Sequence, residues 1–147
     1  MSKNTLSLKI VLSILVLFSI TNLQSQEVVS VVSGGTTANY NPTLVYYNYS
    51  YSESIYLASE IGASGDIDQI QLEWNGNEAI TRDVVIALGH TSLSAYSNWS
   101  QLGTNSSGYT EVFNGTVTLP ATAGWITIDL DTPFTYNGSD NLILSFD

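Results

Sequence analysis

From Leu44 onward, apolar and polar residues alternate in short runs. In Ile67–Trp74 (IDQIQLEW), Ile70, Leu72 and Trp74 fall on one side, and Gln69, Gln71 and Glu73 on the other. Gly124–Leu130 (GWITIDL) sets Ile126, Ile128 and Leu130 against Trp125, Thr127 and Asp129, and Thr116–Leu119 repeats the alternation. Successive side chains of a strand point to opposite faces, so this period of two predicts strands with one buried and one wet face. Asp83–Gly89 is more continuously apolar and predicts a central strand. Turn signals separate the runs: Gly62–Asp66, Asn75–Asn77, Gly103–Gly108, Asn114-Gly115, Pro120–Gly124 and Asn137-Gly138. Glycine and asparagine tolerate the positive φ that tight hairpins require. Short strands so spaced predict an all-β fold, an antiparallel β-sandwich of about eight to ten strands. Ser92–Leu102 is the longest irregular stretch and predicts a loop with one helical turn.

The first residues follow another pattern. Lys3 and Lys9 precede Ile10–Ile20 (IVLSILVLFSI), a run of apolar and small residues. The run has the length of a signal-peptide core and falls short of the ~20 residues that span a bilayer. Leu23 and Ser25 suit cleavage near Ser25 or Gln26. Residues 1–26 are therefore expected to be a cleaved export signal. Residues 27–41 (EVVSVVSGGTTANYN) form a short leading strand and lead-in, and residues 42–147 a jelly-roll-like sandwich module. Leu142–Phe146 (LILSF) reads as a strand with no closing turn after it. The expectation is a sandwich that continues beyond Asp147, with this strand's edge left uncovered.

Charge narrows the partners. Beyond residue 26 one basic residue, Arg82, stands against thirteen acidic ones, a net charge of −12. Nucleic acid and anionic membranes need lysine and arginine to neutralise phosphate, so neither is an expected partner. No membrane insertion is expected once the signal is removed. The absence of cysteine rules out a disulfide framework or a cysteine-linked lipid, leaving a packed core to supply stability.

Candidate chemistry is sparse. Tyr47, Tyr49 and Tyr51 would share one face of a strand, and with Trp99 and Trp125 they are candidate sugar-stacking rings. Tyrosine and tryptophan are also ordinary strand formers, and both roles stay open. Asp66 and Asp68, and Asp129 and Asp131 at an expected strand end, are candidate calcium ligands. Ca²⁺ takes six to eight oxygens in flexible geometry, but no D-x-D-x-D-G loop occurs, and solvated turn carboxylates are the alternative. Glu53, Glu60, Glu73 and Glu78 are available for glycoside hydrolysis, which needs two carboxyls at a set separation and one raised pKa. His90 is the single histidine, too few for a catalytic zinc site, and no G-x-S-x-G elbow accompanies it. It is expected in a turn after Gly89, bonded to backbone.

Taken together, Ile55-Tyr56 with Ala58–Ile61, Leu88–Ser92, and Pro133–Tyr136 leading to Asn141-Leu142 resemble a β-sandwich module near the front of large secreted proteins of Bacteroidetes-type bacteria. That module is similar to the jelly-roll adhesin modules of gingipain-type proteases, and the resemblance spans roughly Asn41 to Asp147. It implies a non-catalytic structural or interaction module on a secreted or cell-surface protein handled by type IX secretion. It also implies further domains downstream and a glycan or extracellular protein as partner. Two alternatives stand beside it: a calcium-assisted carbohydrate-binding module, and an accessory domain of a protease or glycosidase encoded downstream.

Overall fold

The computed structural model describes residues 27–31, 49–76, 78–103 and 108–147. Tyr47 and residues 1–26, the expected export signal, lie outside them. The described residues form six strands: β1 (Ser52–Tyr56), β2 (Gly65–Trp74), β3 (Ile80–Thr91), β4 (Thr110–Leu119), β5 (Gly124–Tyr136) and β6 (Asn141–Phe146). One short helix, α1 (Ala58–Ile61), and a 3₁₀ turn at Trp99–Gln101 complete the set. Every strand pair is antiparallel, in a four-stranded sheet of order β1-β6-β3-β4 and a two-stranded sheet β2-β5. The chain is an all-β antiparallel sandwich.

Alternation decides which residues face inward. On β5, Ile126 and Ile128 are buried while Trp125, Thr127 and Asp129 stay exposed. Val84, Ile86 and Leu88 of β3 and Leu142, Leu144 and Phe146 of β6 meet them in one core. Each such side chain contributes about 1.5–3 kcal/mol when fully buried. Strands β3 and β6 are central and covered on both faces. Ile143 is fully buried and Ser145 buried on the face of β6 away from that core, beneath the β3–β4 connection. A strand with two dry faces has no reason to alternate, which accounts for the continuous runs VVIALG and LILSF.

Four expectations are corrected. Strand β6 is not an uncovered edge: it pairs with β1 on one side and β3 on the other. Asp147 continues the ladder, exchanging hydrogen bonds with Val85 at 2.9 and 3.0 Å. Chain order is not sheet order, and a strand late in the chain takes a central place. Asp129 and Asp131 lie inside β5, which runs on through Pro133 with an irregularity opposite Asp68, rather than at a strand end. The strand expected around Tyr49 and Tyr51 begins at Ser52, and α1 was not expected. Finally, Glu27–Val31 joins no ladder among the described strands.

Two glycines are required by contact. Gly138 turns β5 into β6 at φ 73°, and a Cβ there would come within 2.7 Å of the Ser64 side chain. Gly89 lies beneath the Tyr109 ring, where an added Cβ would meet Cδ1 at 2.5 Å.

Candidate functional site

The outer face of the four-stranded sheet carries a carboxylate ringed by phenols. Tyr51 lies just ahead of β1 and Glu53 two residues on, within it, opposite Ser145 of β6. The Glu53 carboxylate accepts hydrogen bonds from the Tyr51 hydroxyl, from the Tyr96 hydroxyl at 2.6 Å and from the Gly103 N–H at 3.1 Å. Burial alone would raise its pKa. The donors from Tyr51, Tyr96 and Gly103 outweigh that and hold the carboxyl below its ordinary value. The phenols shift the other way. Burial, then the bond to Glu53, pushes Tyr51 and Tyr96 up, and burial with the Glu53 charge nearby pushes Tyr109 up to about 12. The Tyr109 hydroxyl is buried beside Glu53 and Tyr96 without hydrogen-bond geometry to either.

This cluster pins the β3–β4 connection. Glu53 holds it at Tyr96 and Gly103, on either side of the 3₁₀ turn. Within the turn, Asn98 accepts from the Ser100 N–H at 3.0 Å, and Gln101 accepts from the Ser97 N–H at 2.5 Å. Asn141, at the start of β6, fixes the near end of the connection. Its Nδ2 donates to the Leu93 carbonyl at 2.9 Å, while its Oδ1 accepts from the Ala58 N–H at 2.8 Å. Trp99 sits between these anchors with 88% of its surface in water.

The sequence candidates disperse. Trp125 projects from the outer face of β5, while Trp99 lies on the connection over the other sheet, so the two rings do not form one platform. Tyr49 is exposed just ahead of β1. The four aspartates share the two-stranded sheet, and Asp66, Asp129 and Asp131 turn to separate neighbours. Asp66 accepts from the Thr135 hydroxyl at 2.6 Å, Asp129 from the Gln69 amide at 2.5 Å, and Asp131 from the Asn114 N–H of β4 at 3.0 Å. Among the described residues no three carboxylate, histidine or cysteine side chains gather to hold a metal ion. His90 accepts at Nε2 from the Asn137 N–H at 3.2 Å, a backbone bond as expected, though from within β3 rather than from a turn. Its ring stacks on Tyr136 at 5.7 Å. The Tyr51-x-Glu53 spacing was visible in the sequence. Tyr96 and Tyr109 join Glu53 only through the fold.

A second concavity runs along the β2 edge of the smaller sheet, lined by inward residues such as Ile67 and Ile70 and by outward ones such as Gln71 and Trp125. This groove of about 1020 Å³ has Leu88, Leu142 and Leu144 in its floor and Glu27–Val31 along it.

Set against known proteins, the chain matches no family model, no curated protein and no solved structure. Among the described residues no helix is long and apolar enough to cross a membrane.

Proposed function

We propose that the chain is a non-catalytic interaction module of an exported protein, presenting the Trp99 turn to a glycan or an extracellular protein partner. The observation that carries this is Trp99 itself, a large ring left in water on a turn immobilised from both sides. A rigid exposed tryptophan loses little entropy on binding, and its face stacks on sugar C–H groups or fills a partner's pocket. The lowered pKa of Glu53 counts against acid catalysis there, since a glycosidase acid needs its proton retained near neutrality. Export is supported by the basic start and apolar run of residues 1–26, and an extracellular partner by the acidic surface.

The test is a glycan array and a surface-protein capture assay with wild type and Trp99→Ala, each run with and without chelator. Trp99→Ala is expected to weaken binding at least tenfold while leaving the melting temperature within about 1 °C, because the ring buries little on folding. Unchanged binding by Trp99→Ala would overturn the role of the turn. Chelator-sensitive binding would instead restore a calcium-assisted site.

A further inference from the structure

The smaller sheet ends at β2. One edge of this strand pairs with β5, in an unbroken ladder from Gln69 to Trp74, and no strand among the described residues pairs with the other. Natural sheets blunt such an edge with lysine, proline, a bulge or an inward-pointing charge. Strand β2 contains no lysine or proline, and its inward residues Ile67, Ile70, Leu72 and Trp74 are all apolar. Its irregularity, between Ile67 and Gln69, leaves the run from Ile70 to Trp74 regular. The β5 side of the sheet differs, since Asp131 already reaches across to the Asn114 N–H of β4. Beside the β2 edge lies the concavity of about 1020 Å³. Ile67 and Ile70, which line it, are only half-buried, so apolar surface remains there for a further strand to cover.

Charge selects the occupant. Asp66, Asp68 and Glu73 of β2 are all exposed, and Glu27 lines the concavity together with Asp66 and Asp68. Among the described residues no lysine, arginine or histidine lines it. Beyond residue 26 the single basic residue, Arg82, lies on β3 of the other sheet. A second copy pairing edge to edge through β2 would set these carboxylates beside their own kind, each copy bringing a net charge of −12 beyond residue 26. An extended segment with lysine or arginine on one side and apolar residues on the other satisfies the edge, the carboxylates and the apolar side chains at once. We propose that the β2 edge is a docking site for a cationic extended segment of a partner protein, which adds to the smaller sheet as a third strand. Its main chain continues the ladder, its apolar residues lie beside Ile70 and Leu72, and its cations lie beside Asp66 and Glu73. Trp99 lies over the other sheet, on the β3–β4 connection, so this is a second interaction surface rather than part of the first.

The test titrates the chain against dye-labelled synthetic peptides, read by fluorescence anisotropy and by amide exchange of the complex. A peptide alternating lysine with valine is expected to bind at least tenfold more tightly than one alternating glutamate with valine. It should exceed by the same margin a peptide of its own composition with lysines and valines in separate blocks. Methylating its main-chain nitrogens, which removes the ladder donors, is expected to weaken binding at least tenfold. The bound peptide should slow amide exchange in β2 at least tenfold and leave β1 and β4 unchanged. Asp66→Asn with Glu73→Gln is expected to weaken binding at least tenfold, and Trp99→Ala to leave it unchanged, so failure here does not touch the role of the Trp99 turn. No binding of the lysine peptide, or equal binding of the glutamate or methylated peptide, would overturn the proposal. Exchange slowed at β4 instead of β2 would overturn it too. So would β2 amides that exchange slowly in the chain alone and respond to no peptide, which would place a strand of the chain itself, or of a second copy, on that edge.

Discussion

Glu53 does by hydrogen bonding what a cation does in most half-buried carboxylate sites. Its folded pKa lies below the unfolded value of 4.5, so the stability it adds is present above pH 4.5 and lost as pH falls through the folded value. The phenols mirror this. With folded pKa values above 10.0, their contribution is present below pH 10 and lost as pH rises through the folded values. Thermal melts across pH are therefore expected to fall at both ends, from one cluster. Glu53→Gln should flatten the acid limb and cost about 1 kcal/mol at neutral pH, allowing for the water that reaches the carboxylate. It should also lower the tyrosinate midpoint of Tyr109 from about 12, since the neighbouring charge is gone, which absorbance near the tyrosinate band would follow. An unchanged acid limb in Glu53→Gln would mean that another carboxylate governs it.

Among the elements, the connections are held as firmly as the strands. Asn141 joins α1 to the start of the β3–β4 connection through two part-buried bonds. Asn141→Ala strands the Ala58 N–H and the Leu93 carbonyl, at a cost of about 1–3 kcal/mol. The expected signature is faster amide exchange in α1 and around Leu93, with β2–β5 unaffected. Loss of protection spread evenly over both sheets would contradict this local role. The strands were legible in the sequence because burial on one face writes itself as alternation, plainly so in IQLEW and WITIDL. The loop with a helical turn at Ser92–Leu102 was legible from its irregularity. The bridge from Glu53 to Tyr96 was not. It joins residues 43 apart in the chain, and neither residue differs locally from a surface glutamate or a strand tyrosine. Asp131 misled for a related reason: β5 carries straight through a Thr-Pro pair that resembles a strand end, and its irregularity sends Asp131 toward β4.

For the whole molecule, the sandwich class followed from periodicity, but the order of strands did not. No local pattern tells LILSF that its neighbours are SESIY, about 90 residues earlier, and the second half of β3. The central place of β6 makes a direct forecast. A chain stopped before Asn141 loses the strand that, among the described residues, joins β1 to the rest of its sheet, along with Leu142, Leu144 and Phe146 from the core. It is expected to lose its near-ultraviolet dichroism and its cooperative melting transition together. A sharp transition retained by that truncated chain would show that β3, β4 and the smaller sheet suffice.

The same placement governs timing. Any polypeptide delivered from its amino end, by a ribosome or through a channel, presents β1 and β3 well before the strand that must lie between them. Until then the edges of β1 and β3 that β6 will pair with are both unpaired, and a collapse of one against the other would block the later arrival. Whatever the route of delivery, the four-stranded order β1-β6-β3-β4 can be completed only after Phe146 has emerged.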